Sequence, residues 1–329
     1  MEWNTKITAL LGSKYPIIQG ALDVFGTSTL AVAVSEAGGF GIIAASALRT
    51  PDRLRDDIRR AKSMTDKPFG VNLSLAVIYH PDEMREVAIE EGVPVVELTG
   101  PWAAEHGRRL KEAGVKWVHK VGAARHAVAA ERQGADAVII VGLEGIGFKG
   151  PLQLPGLVAI PWAAKQIKIP IIASGGIGDA RGFLAALAMG AAGVSLGTAF
   201  VATKECRVSD RYKQALVDGD PTAPKFRDRA LATPKPEAFA ELMKERDSMP
   251  QKEWLRRFTA VTTQGLTDAL DASPEELRES SLSFAMASLA VASVDRVVTV
   301  KELIDSIIQG AEEILSTEPF ASLWRHKGV

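Results

Sequence analysis

Eight short apolar runs, most of them followed by a stretch of helical character, constrain this chain more than any other feature. They are Pro16–Gly20, Phe40–Ser46, Phe69–Leu75, Val93–Leu98, Lys116–Val121, Ala137–Gly142, Ile169–Ser174 and Gly193–Phe200. Runs rich in Val and Ile, without polar alternation, suit strands of a parallel sheet covered by helices on its faces. Between them, Thr50–Met64 reads as a helix with a Thr N-cap and Pro51 in the first turn. Ala123–Gln133 and Asp179–Met189 read likewise, and glycines in the turns Glu36–Gly39, Glu90–Val93, Glu112–Val115 and Arg132–Asp136 end helices ahead of strands. This alternation predicts an α/β fold, a (β/α)8 TIM barrel; a doubly wound sheet shares the same order and stays open as an alternative.

The pattern changes after Phe200. Residues 206–281 are charged and punctuated by proline, with helical stretches such as Glu237–Glu245 and Lys252–Thr259. The expectation is therefore a barrel over 1–205, a helical insertion over 206–281 placed to cap the barrel mouth, and C-terminal helices over 282–329 returning to the barrel. In the last part, the amphipathic stretch Val300–Leu315 is the candidate eighth barrel helix.

Totals exclude several classes. A formal charge of -1 removes the broad electrostatic case for nucleic acid. The single cysteine, Cys206, rules out an internal disulfide, and no Cys/His spacing fits zinc. No apolar run approaches the roughly 20 residues that span a bilayer, and Met1–Lys14 lacks the apolar core of a signal peptide. The expectation is a cytoplasmic protein with a small-molecule substrate; oligomeric state is left open, a homodimer included.

In such a barrel the loops after the strands build the active site. The clearest local signal is Ala173-Ser174-Gly175-Gly176-Ile177 after the seventh strand, joined by Leu196-Gly197-Thr198 on the eighth. Glycines there expose backbone N–H groups, and a following helix N-terminus adds positive potential, so the pair suits a phosphate; tight strand-to-helix turns are the competing reading. Asn72 and Lys120 are polar residues within apolar strands, and burying either without a partner is costly. Each points into a functional mouth or a satisfied network, unless Asn72 caps the next turn and Lys120 reaches solvent. Gln19-Gly20 adds a polar and glycine pair at the same level. Glu144, in Gly142-Leu143-Glu144-Gly145-Ile146-Gly147, is either a pocket wall or a solvated loop charge. His119 and His126 flank the Lys120 strand end, and His126 reads as a surface residue. Cys206 reads as an inert thiol, with no basic partner evident.

Several of these segments together resemble the nitronate monooxygenases, formerly 2-nitropropane dioxygenases. The resemblance rests on Pro16–Gly20, Ala37–Gly39, Pro68–Leu73, His119-Lys120, Gly134–Ala137, Ile171–Gly176 and Gly197-Thr198, in consistent order from Lys14 to Cys206. The same superfamily includes FMN-dependent enoyl-acyl-carrier-protein reductases and an NADH:quinone reductase. The resemblance implies a non-covalent FMN whose phosphate sits on Gly175-Gly176 and Gly197-Thr198. Its ring system would lie near Ala21, Leu22, Asn72 and Lys120, with Gln19, Gly20 and Ser174 also among the cofactor-binding residues, and the Lys120 cation would stabilise the anionic reduced flavin.

Three positions depart from the family pattern. Phe148 stands where the family has a histidine, Ala199 replaces an arginine after Gly197-Thr198, and Val141 replaces an acidic or amide residue. A phenyl ring can neither abstract nor donate a proton, so the expected substrate pocket, with Glu144, Phe148 and Ala199, is more apolar and has no assigned catalytic residue. Four functions follow from this reading. They are an NAD(P)H-dependent reductase of a quinone, enoyl thioester or similar electrophile; a nitronate monooxygenase acting on pre-ionised nitronates; a catalytically silent flavin- or phosphate-binding protein; and a barrel aldolase or isomerase with Lys120 as a Schiff-base lysine.

Overall fold

A computed structural model describes residues 1–22, 25–100, 103–147, 149–245, 248–262 and 287–317. Eight parallel strands form the barrel: β1 Ile17–Gln19, β2 Gly41–Ala44, β3 Phe69–Ser74, β4 Val95–Thr99, β5 Lys116–Val121, β6 Ala137–Val141, β7 Ile171–Ser174 and β8 Gly193–Leu196. Ladders run without a break from β2 through β8 to β1. The ring is closed by an isolated bridge between Ile18 and Phe40, with Phe40 N–H donating to Ile17 O and Gln19 N–H to Phe40 O, both at 2.9 Å. The barrel is the closed member of the two folds that the strand alternation allows.

Helices follow the strands: α2 Ser28–Glu36, α3 Ala45–Leu48, α4 Pro51–Met64, α5 Pro81–Glu90, α6 Ala103–Glu112, α7 Ala124–Arg132, α8 Gly156–Ala164 and α9 Ala180–Ala188. Thr50 caps α4 as its sequence predicts, accepting from Arg53 N–H. Two strands stop two or more residues before the ends of their apolar runs. Beyond Ala44 the chain turns into α3, and β8 gives way at Gly197 to a short helix, α10 Thr198–Val201, whose Phe200 and Val201 N–H groups bond the Gly197 carbonyl. An apolar run therefore overstates a strand where a small residue lets buried chain turn helical.

One element is absent from the sequence reading. Helix α1, Lys6–Leu11, is capped by Thr5 with a reciprocal bond from Thr8, and it sends Ile7 and Leu11 into the barrel floor against Ile18, Phe40, Ile42 and Val95. After α10 come α11 Asp210–Val217, α12 Pro224–Leu231, α13 Pro236–Lys244 and α14 Gln251–Thr262, then a 3-10 turn at Leu289–Ser293 and α15 Val300–Ser316. Helix α15 packs against α9 and α2, the place of a helix following β8.

Period-2 alternation decides what the barrel mouth contains. Ile18, Ile42, Val95, Val118, Ile139 and Ile172 cluster inside the barrel, while Ile17, Ile43, Val71, Val96, Ile140, Ala173 and Val194 belong to the core beneath the helices. Two residues further along the inward set stand Gly20, Glu97, Lys120, Val141 and Ser174, above the apolar floor at the C-terminal ends of the strands.

Candidate active site at the barrel mouth

Four neighbouring side chains form a polar network in this upper layer. Asn72 and Glu97 are register partners on β3 and β4, and Thr99 pairs with Lys120 across β4 and β5. Asn72 Nδ2 donates to Glu97 Oε1 at 3.1 Å and to Thr99 Oγ1 at 2.9 Å, and Thr99 Oγ1 donates to Glu97 Oε1 at 3.2 Å. From above, Ser74 Oγ donates to Asn72 Oδ1 at 2.9 Å. Lys120 Nζ stands 3.6 Å from Glu97 Oε1 with its side chain 21% exposed, so the ammonium lies between a buried carboxylate and the open mouth. Asn72 and Lys120 thus both belong to one polar cluster around Glu97, and Asn72 does not serve as a cap of the following turn. Sequence reasoning passed over Glu97. A carboxylate inside VPVVEL carries the same signal that singled out Asn72, and counting by twos from Val95 would have turned it inward.

Gln19 has the opposite parity. Its amide donates to Ile42 O at 2.9 Å and Gly20 O at 3.1 Å and accepts from Ile42 N–H, bridging the seam between β1 and β2. Its side chain closes the barrel and leaves the mouth to Gly20, Ala21 and Leu22. Leu22 sits at φ 54°, a left-handed conformation that leucine rarely adopts, on the rim beside Gly197. His119, next to Lys120 but outward, donates from Nε2 to Gly100 O at 3.3 Å, and burial pushes it down to about 4, so it is neutral at physiological pH.

The glycine loops after β7 and β8 meet at the other side of the mouth. Gly175 (φ 98°) and Gly176 (φ 71°) adopt left-handed backbone. A Cβ on Gly175 would come within 2.8 Å of Gly145 N, so this turn also requires glycine for the close approach of the β6 loop. Among the described residues, the N–H groups of Gly176, Ile177, Gly197 and Thr198 donate to no protein acceptor. Donors left over on two adjacent loops suit an anionic oxygen cluster. The Thr198 hydroxyl has other work: it bonds Ser288 Oγ and accepts from Ser288 N–H, both at 2.9 Å. Leu289 N–H reaches Glu144 O and Ser293 lies against Gly178, so the 3-10 turn ties down the loops after β6, β7 and β8. Sequence reasoning missed this turn because its partners are some 90 residues away.

The β6 loop spends its polar side chains on itself. Glu144 accepts from Gly156 N–H with both oxygens, at 3.1 and 2.9 Å, and so caps α8. Buried Lys149 donates to Leu143 O at 2.8 Å and Gly145 O at 2.6 Å, and burial pushes it down to about 8. Both side chains are engaged by backbone groups. Ala199 is buried, its Cβ beside Gly178. Phe148 lies outside the described residues. Buried Cys206 is pushed up to about 12, consistent with an inert thiol. Among the described residues no group of His, Cys, Asp and Glu could hold a metal, and no helix is long and apolar enough to cross a membrane.

A nitronate monooxygenase family profile matches residues 4–310. The chain belongs to the nitronate monooxygenase family. Its relatives carry two kinds of name. The (3aS,4S,5R,7aS)-5-hydroxy-7a-methyl-1-oxo-octahydro-1H-indene-4-carboxyl-CoA dehydrogenase of Mycobacterium tuberculosis is 40% identical over 227 residues, 67% of this chain and 62% of that protein. The chain thus spans about six tenths of that relative's length, as it does for the same-named dehydrogenase of Rhodococcus jostii (58%). A probable nitronate monooxygenase of Staphylococcus saprophyticus is 33% identical over 260 residues, 66% of this chain and 73% of that one. Among solved structures, FabK from Thermotoga maritima superposes with TM-score 0.75 and 33% identity, covering 95% of this chain and 97% of that one.

Proposed function

We propose that this protein is an FMN-dependent oxidoreductase that exchanges hydride with NAD(P)H and with a quinone, an enoyl thioester or a similar electrophile. The observation that carries the reading is the set of N–H groups on Gly176, Ile177, Gly197 and Thr198 that donate to no acceptor among the described residues, on loops after β7 and β8 at the same end of the barrel as the Lys120 ammonium. Those N–H groups would hold the FMN phosphate. Gly20, Ala21, Leu22, Asn72 and Lys120 would border the ring system, with Lys120 offsetting the negative charge of the reduced form. Bound FMN supplies the capacity to accept and return hydride. The protein would orient the substrate and withhold water, a task in which α13 and α14, packing Leu242, Trp254 and Phe258 against Ala76, would serve as a cap.

The carboxyl-CoA dehydrogenase names favour a thioester among the electrophiles. The occupied side chains of the β6 loop favour hydride exchange over nitroalkane oxidation. Removal of a proton from carbon needs a positioned base, and Glu144 and Lys149 are both held by backbone groups. Neutral nitroalkanes are therefore expected to be inert, while pre-ionised nitronates remain competent substrates. Mass spectrometry of the released flavin should find FMN. Anaerobic addition of NADH or NADPH should bleach its visible absorption, followed by reoxidation by an enoyl thioester or quinone. Release of FAD would overturn the site assignment, and bleaching by a nitronate but by neither nicotinamide would move the function to monooxygenation.

A further inference from the structure

Glu97 is 1% exposed and projects from β4 over an apolar floor that includes Ile18, Phe40, Val118 and Ile139. Its Oε1 receives hydrogen bonds from Asn72 and Thr99, and its buried Oε2 has no hydrogen-bond partner among the described residues. Among the described residues, one cation lies within 4 Å of the carboxylate, the Lys120 ammonium at 3.6 Å. A carboxylate in such surroundings is tolerable only when compensated. Among the described residues Lys120 in turn pairs with no other carboxylate, and the strand on its far side, β6, presents Ile139 and Val141. His119 on its own strand points away.

We propose that Glu97 is the positioning residue of the mouth: its carboxylate fixes the Lys120 ammonium at the rim and cancels part of the positive charge felt by an anionic group bound there. Asn72 and Thr99 hold Glu97 from one side, so the carboxylate cannot follow Lys120 outward, and the ammonium's place is set by a fixed counter-charge. The redox consequence rests on the flavin reading above; the pairing does not.

Two measurements on the purified protein separate these parts. The first is a stability cycle of Lys120→Met, Glu97→Gln and the double variant in urea. Lys120→Met strands a buried carboxylate, so adding Glu97→Gln to it should restore stability; a double variant no more stable than Lys120→Met overturns the pairing, whether or not flavin is bound. The second is the midpoint potential of the bound flavin. Lys120→Met removes a positive charge and should disfavour reduction, whereas Glu97→Gln removes the opposing negative charge and should favour it. Each shift should be on the order of tenfold in the reduction equilibrium, about 30 mV for a two-electron couple. The double variant should return towards the parent. Potential unchanged or lowered in Glu97→Gln overturns the charge-setting role. Absence of any bound flavin, with the stability cycle intact, counts against the functional reading and leaves the pairing established.

Discussion

Lys149 shows how a single buried charge enters the energetics of the active-site loop. Its folded value of about 8 lies below the ordinary 10.5, because burial outweighs the nearby Glu144 charge. With a depressed base the folded chain sheds its proton first. Between about pH 8 and 10.5 the unfolded chain holds a proton that the folded one has lost, so stability rises with pH across that window, and below it the burial penalty is felt in full. Lys149→Met deletes this dependence while leaving Leu143 O and Gly145 O unpaired at every pH. The parent's advantage over the variant, measured in urea, should therefore grow by on the order of 1–2 kcal/mol from pH 7.5 to 9.5; a flat difference would mean that Lys149 is not desolvated. At this scale the sequence was legible where a polar residue interrupts an apolar strand, as Asn72 and Lys120 do. It was illegible where the partner is a backbone group, because nothing in GLEGIGFKG says that Glu144 caps α8 or that Lys149 turns back on its own loop.

Strands and helices were legible to within a few residues wherever a turn glycine or a cap marks the boundary, as at Thr50 and Gly134. Boundaries drifted where apolar chain continues past the strand, as from β8 into α10. Close approach of elements left a different trace, small residues whose reason appears only in space. Gly107 on α6 is one: a Cβ there would lie 2.3 Å from the Trp117 ring on β5. Gly107→Ala should push α6 off the sheet and cost about 1–3 kcal/mol through overpacking, read as a lower urea midpoint. Gly175→Ala tests the phosphate loop instead. Its φ of 98° and the 2.8 Å approach to Gly145 N penalise any side chain, so loops β6 and β7 must part. Weaker FMN retention with a stability loss of roughly 1–2 kcal/mol is expected. Undiminished FMN affinity would show that the phosphate binds elsewhere.

For the whole molecule, the decisive contacts join the two ends of the chain. The seam between β1 and β2 has one backbone bridge and the Gln19 amide, and the elements covering it come from opposite ends: α2 and the α1 floor from the start, α15 from the finish. Glu312 on α15 accepts from the N-terminal ammonium and from Trp3, and Trp3 packs on Phe183 of α9. A periodic reading of strands anticipates a ring but not its clasp, since the clasp depends on residues some 300 positions apart. Fully buried Ile304 fills the space beside Gly39 and Val34, so Ile304→Ala should cost the barrel about 2–5 kcal/mol. The insertion is organised differently. Trp254, stacked on Phe258 with its indole N–H donated to Leu242 O, belongs to a small cluster that meets the barrel through Ala76 and Val77. Trp254→Ala should therefore loosen the α13–α14 pair alone, exposing it to limited proteolysis while the barrel's urea midpoint stays near the parent's. Ile304→Ala should do the reverse, lowering the midpoint without early cleavage in the insertion. If Trp254→Ala lowered the barrel transition as far as Ile304→Ala does, the insertion would be part of the barrel's cooperative core, and a cap that opens independently for substrate would be ruled out.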